Sequence, residues 1–150
     1  MYGCLLLILL ALPSQAVTYS IDSKIPYRKN LHYSIQKINR KIGSKVFVYS
    51  KDNPDIKIIW DETIDILGWA ERGDPCIAHV GPATLVFNGK KLDQDFISVV
   101  GIHELGHCLG LEHNDNPDSI MYVHPLPNTK ILKSDILLFR EALQCMMLRR

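Results

Sequence analysis

Three histidines, one glutamate and one glycine stand at fixed intervals in the stretch IHELGHCLGLEHNDNPDSIMY, residues 102–122. His103 and His107 are four apart. On an α-helix that spacing puts both imidazoles on one face, one turn apart, within reach of a single metal ion. Glu104 follows the first ligand, so its carboxylate points about a quarter turn away. It can then address a metal-bound water without being a ligand itself. Gly110 tolerates the positive φ that ends a helix and turns the chain sharply. Such a turn brings His113 back as a third ligand. Three protein ligands with one open position is the arrangement of catalytic zinc, whereas structural zinc is closed by four. A pattern this dense in histidine arises by chance in roughly one in 10⁵ chains of this length. Two competing readings are a solvated helix whose histidines bind nothing and a zinc site without activity. The presence of Glu104 argues against the second.

The pattern His103-Glu104-x-x-His107-x-x-Gly110-x-x-His113 resembles the metzincin signature of zinc endopeptidases. Members of that family carry a methionine in a tight turn beneath the zinc, and Met121 stands at the matching place. Met121-Tyr122 and the short loop before it are most similar to the matrixin branch. Matrixins often have proline two residues after the methionine, followed by a wall of the S1′ pocket. Here Val123 holds that place and His124-Pro125 follow, so the shape of the pocket departs from the family pattern. In some metzincin branches a tyrosine at that same place assists catalysis, and Val123 excludes it here.

The resemblance implies one catalytic zinc on His103, His107 and His113, a protein or peptide substrate, and a secreted hydrolase. Zinc would lower the pKa of its water toward about 7. Glu104 would accept the proton as the carbonyl is attacked and pass it to the leaving amine. Met121 would pack rather than react. Ile77, Ala78 and His79 fall where the family binds substrate on an antiparallel edge strand by backbone pairing. A family histidine in an Ala-His context holds a second, structural zinc. The loop upstream of His79 has no histidine, so a hydrogen-bonded or surface His79 is expected. Asp61-Glu62 and Asp93–Asp95 are acidic pairs that calcium accepts, although no dense calcium-loop motif is present. A catalytically silent, zinc-stabilised peptide-binding module is the alternative function.

Composition sets the frame for these residues. The 150 residues suffice for one domain with a sizeable core. Seventeen basic against sixteen acidic residues give a net charge of +1, which offers nothing for nucleic-acid binding. The expected form is a monomer. Residues 5–12 are an unbroken apolar run, followed by Pro13-Ser14-Gln15-Ala16 with small residues where signal peptidase cuts. Residues 1–16 therefore read as a signal peptide and 17–150 as the exported domain. The run is too short for a stable membrane span. About ten residues (17–26) then precede the first helix, none of them cysteine, so no cysteine-switch latency and no accessory domain are expected. Export leaves Cys76, Cys108 and Cys145, which predicts one disulfide. Cys108–Cys145 is preferred and Cys76–Cys145 is the alternative, with Cys108 as a small core residue the remaining reading.

The positioning elements follow from periodicity and turn residues. A first strand is expected near residues 17–24. A helix over 27–42 carries Leu31, Ile35, Ile38 and Ile42 on one side and stops at Gly43. Strands follow at 45–50 and 56–60, then a long irregular loop over 61–75. Two short strands at 76–80 and 84–87 precede a turn at Asn88-Gly89. The motif helix spans 92–109 and buries Ile97, Val100 and Leu105. A loop over 114–129 leads to a last helix from Ser134, with Ile136, Phe139, Leu143 and Met146 on one side. Ser134-Asp135-Ile136 is similar to the start of the matrixin C-terminal helix. The order implies an α+β domain, a small twisted mixed sheet with an active-site helix and a C-terminal helix, as in metzincin catalytic domains.

Overall fold

The computed structural model describes residues 15–64, 66–81, 94–126 and 129–148. Among them the order is β1 (Val17–Ile21), α1 (Arg28–Ile42), β2 (Phe47–Tyr49), β3 (Ile56–Trp60), β4 (Gly68–Glu71), β5 (Cys76–Val80), α2 (Gln94–Cys108) and α3 (Lys133–Leu148). One mixed sheet has the strand order β2-β1-β3-β5-β4. Its first four members run parallel, and β4 joins β5 antiparallel. The α+β architecture is the one expected.

The sheet forms where apolar residues alternate. Val17, Tyr19 and Ile21 of β1 and Ile56 and Ile58 of β3 face the core, while Lys57 between them faces solvent. Helix α1 turns Leu31, Ile35 and Ile38 inward and ends at Gly43 in the left-handed region. Asn39 docks the end of α1 onto β2: its Oδ1 accepts from Phe47 N at 2.9 Å and its Nδ2 donates to Phe47 O at 2.8 Å. Helix α2 is buried along Phe96–Gly106, against α1 on one side and β5 and β4 on the other. It therefore lacks the usual polar stripe, and Ile97, Val100 and Leu105 are only part of what it buries. Phe139 and Leu143 of α3 complete the core. No helix among the described residues is long and apolar enough to cross a membrane.

Three expectations need correction or fall elsewhere. The region 61–75 is not wholly irregular, because it contains β4. This strand is four residues, Gly-Trp-Ala-Glu, followed by Gly73 and Pro75, too short and too poor in β-branched residues to register as a strand. Consequently Ile77, Ala78 and His79 are not on an edge. They lie in β5, paired to β3 on one side and β4 on the other. The strand expected at 84–87, its Asn88-Gly89 turn and most of the signal peptide lie outside the described residues.

The disulfide is the third correction. Both weighed pairings used Cys145, but the bond joins Cys76 to Cys108, with 5.7 Å between their Cα atoms. The first residue of β5 meets the last residue of α2 because α2 packs along that strand. Cys145 keeps its thiol on α3. The closed loop has a sequence separation of 32. Its closure entropy corresponds to about 3–4 kcal/mol in the unfolded-chain account. Cys76→Ser/Cys108→Ser should lower unfolding stability by that order in a denaturant titration. A reductant should do the same to the wild type and nothing further to the double variant.

Candidate metal centre

Helix α2 presents His103 and His107 on one face and ends one residue after the second. Gly110 then takes φ 93°, with its N–H donating to His107 O at 2.9 Å, and the Leu111 N–H donates to Gly106 O at 3.0 Å. This is a Schellman C-cap, and only a residue tolerant of positive φ closes it without strain. The turn carries His113 back over the helix end. The three Nε2 atoms then stand 3.0 Å (His103–His107), 3.1 Å (His107–His113) and 3.2 Å (His103–His113) apart.

The tautomers follow from the other ring nitrogens. His103 Nδ1 lies 2.7 Å from Ile120 O, and His107 Nδ1 lies 2.8 Å from Leu111 O. A carbonyl only accepts, so both Nδ1 atoms carry the hydrogen. Both Nε2 atoms of the neutral rings are then lone pairs aimed at each other. That arrangement is repulsive unless a cation sits between them. Tetrahedral zinc with Zn–N of about 2.0–2.1 Å spaces its ligands by about 3.3 Å, close to what is found. The donor set therefore fits zinc. It is the only group of three or more metal-capable side chains found among the described residues.

Electrostatics agree with neutral ligands. His103 is held down to about 4, chiefly by burial and also by the charges of His107 and His113, against the opposing Ile120 hydrogen bond. Burial also lowers His107. Glu104 behaves in the opposite sense. It is 4% exposed, and burial pushes its carboxyl up to about 8. Its Oε2 has no hydrogen-bond partner among the described residues. A buried carboxyl without a partner is costly and marks a group kept for chemistry rather than for stability. Room for it comes from the edge strand. A Cβ on Gly68 would stand 2.9 Å from both Cγ and Oε1 of Glu104 and 2.7 Å from His79 O.

Met121 is fully buried and packs against Gly106, between the two helical ligands, where a Cβ would meet its Sδ at 2.5 Å. Its turn is held by a residue that sequence reasoning placed only as a family echo. Asp135 is fully buried at the start of α3. It accepts from Ser119 Oγ at 2.5 Å, Ile120 N at 3.3 Å and Leu132 N at 2.8 Å. Ser119 Oγ accepts in turn from Met121 N at 3.1 Å and Asn114 Nδ2 at 2.9 Å. Ile120 thus donates its N–H to Asp135 and accepts at its carbonyl from His103. A carboxylate three residues into a helix-start pattern was the available signal, but its partners are 15 and 16 residues away.

The histidines and Glu104 open into a cleft of about 930 Å³. Gly68 and Trp69 of β4 form one wall, and Val123, His124 and Pro125 form part of the other. The departure from the matrixin pattern at Val123-His124 therefore faces the cleft. His79 lies elsewhere, 8% exposed, stacked on Trp69 and bonded to Asp61 Oδ2 at 2.8 Å, as the hydrogen-bonded reading expected. Asp61 is further engaged by the Thr63 N–H and hydroxyl, which leaves the calcium reading without support there. Asp93 lies outside the described residues.

The matrixin family profile matches residues 87–137. The chain is metzincin-like. Macrophage metalloelastase of Rattus norvegicus is 52% identical over 69 residues, 43% of this chain and 13% of that protein. Matrix metalloproteinase-15 of Homo sapiens is 49% identical over 35 residues, 23% of this chain and 5% of that one. The matches thus span a small part of these relatives. A crystal structure of archaemetzincin from Methanopyrus kandleri superposes with a TM-score of 0.59 over 90% of this chain and 97% of its own, at 16% identity. That likeness shows a metzincin-like fold, and the sequence matches are local similarities to metalloproteases over part of the chain.

Two outcomes follow. Asp135→Ala should destabilise the chain by about 3 kcal/mol, since it orphans buried donors around Ile120. It should also weaken zinc uptake measured by competition with a chromophoric chelator, because the acceptor for His103 loses its anchor. The second outcome concerns pH in chelator-treated protein. His103 falls from 6.5 to about 4 on folding, so its contribution is present above 6.5 and lost as pH falls toward 4. Glu104 rises from 4.5 to about 8, so its contribution is present below 4.5 and lost as pH rises through 8. Relative to Glu104→Gln, the wild type should lose stability steadily across that second window. Parallel profiles would show that Glu104 is not held neutral.

Proposed function

We propose that this chain is an exported, zinc-dependent endopeptidase in which Glu104 is the general base. The observation that carries the reading is a buried carboxyl whose Oε2 has no partner among the described residues, beside three converging imidazole Nε2 atoms in an open cleft. His103, His107 and His113 hold the metal. Zinc there supplies a water of lowered pKa and a Lewis-acid contact for a carbonyl. Glu104 takes the proton of the attacking water and delivers it to the departing amine. Met121 and Asp135 fix the ligands and touch no substrate.

Substrate binding falls to β4 rather than to Ile77–His79. β4 is the antiparallel edge in the described sheet, and it lines the cleft. An extended peptide added to that edge pairs by backbone and lays its side chains alternately toward the cleft. Backbone pairing imposes little sequence preference. Export is supported by the apolar run at residues 5–12 and by the Cys76–Cys108 bond, since disulfides persist in oxidising compartments.

The test is hydrolysis of an unfolded protein by the chain with zinc, with chelator, and as Glu104→Ala. Chelator should abolish cleavage, and Glu104→Ala should slow it by roughly 10²–10⁴-fold while zinc still binds. Gly68→Ala should also cut kcat without loss of zinc, because the added methyl collides with the Glu104 side chain. A wild type that binds one zinc and cleaves nothing would favour the peptide-binding module.

A further inference from the structure

A second cavity, of about 860 Å³, lies on the far side of α2. It is lined by Lys37 and Lys41 of α1, by Lys130 and Lys133 at the approach to α3, and by Ser34 and Asp95 at its edges. Among the described lining residues, four lysines against one carboxylate is a strong bias in a chain whose net charge is only +1. The bias has a source in sequence. Helix α1, RKNLHYSIQKINRKI, carries five lysines and arginines and no acid. The cavity is also held in shape. Lys41 Nζ donates to Ile131 O at 2.9 Å, which ties α1 to the segment before α3 across the opening.

The two cavities use different stripes of one helix. Asp95, Ser98, Val99 and Ile102 line this one, and Val100, His103, Glu104 and His107 line the metal cleft. The offset of five positions places the stripes roughly 140° apart around the axis. No residue lines both cavities. The basic cavity is therefore not an extension of the peptide cleft.

We propose that this cavity is a docking site for a sulfated polysaccharide chain. Four amines on two walls suit an anion with charges spaced along it, as ammonium groups act as point charges toward sulfate. Ser34 and Thr129 place hydroxyls among them for sugar hydroxyls. A single-stranded polynucleotide fits less well, because its sites stack bases on aromatic rings and this lining has none. The disulfide indicates an oxidising compartment, the side of the membrane where sulfated polysaccharides lie. The proposal does not rest on the peptidase reading.

The experiment titrates the full chain with a heparin octasaccharide, with its desulfated form, and with an oligothymidylate of matching charge. The octasaccharide should bind saturably, more weakly as NaCl rises from about 0.05 to about 0.25 M, and the desulfated form should not bind. Lys130→Glu/Lys133→Glu should weaken binding at least about tenfold with an unchanged melting temperature. Lys24→Glu/Lys57→Glu removes the same charge elsewhere and should leave binding within about twofold. The metal-site variant Glu104→Gln should bind like the wild type, which separates this site from the catalytic one. No saturable binding, equal losses in the two lysine pairs, or tighter binding of the oligothymidylate would each overturn the proposal.

Discussion

Two imidazole N–H groups pinned to backbone carbonyls are the constraint from which the rest of the structure is built. His103 Nδ1 gives its hydrogen to Ile120 O and His107 Nδ1 gives its hydrogen to Leu111 O. Each bond fixes a tautomer and a ring plane together, so each leaves one lone pair with one direction. The carbonyls must therefore be placed as accurately as the rings. Leu111 O is placed by the Schellman turn at Gly110 and Ile120 O by Asp135. The helix end, the methionine turn and the start of α3 are thus parts of one positioning device.

That device works against stability, and the fold compensates elsewhere. Two imidazole lone pairs 3.0 Å apart and a buried carboxyl lacking a partner for Oε2 among the described residues are unfavourable in isolation. They persist because α2 is buried on nearly every side and cannot rotate away. Leu105 faces the core, Gly101 admits Leu31 of α1, and Gly106 admits Met121. Cys76–Cys108 then ties the last residue of the helix to the first residue of β5, one position beyond His107. A site that violates local preference in a fold that is otherwise consistent is the expected signature of function.

The legible part of the molecule is the part whose signals are local. His103, Glu104, His107, Gly110 and His113 lie within three helical turns and a cap, so spacing alone brings them together. Strands β1, β2, β3 and β5 and helices α1 and α3 carry their periodicity in consecutive residues. What was missed depends on distant partners. Strand β4 has no pattern of its own, and it exists because β5 offers it hydrogen bonds along Gly68–Glu71. Without β4, the sequence places β5 at the edge and Ile77, Ala78 and His79 against substrate. The cysteine pairing failed likewise. Nothing in the order of Cys76, Cys108 and Cys145 shows that β5 begins where α2 ends.

Helix α2 divides the molecule into a side that gathers three imidazoles and a buried carboxyl and a side that carries charge. A helix buried all round usually faces apolar neighbours on every stripe. This one is flanked by two cavities, one lined by imidazoles and a carboxyl and the other by lysines. The separation has a physical consequence. Ammonium groups beside the metal ligands would compete with a cation for the same field and would lower the affinity of the histidines for it. The four lysines stand instead behind Ile102 and Ile120, and the body of the helix lies between them and the Nε2 atoms. Ile120 serves both sides at once. It lines the basic cavity while its carbonyl holds His103 from behind the metal cleft, so one residue links the two environments without opening into both.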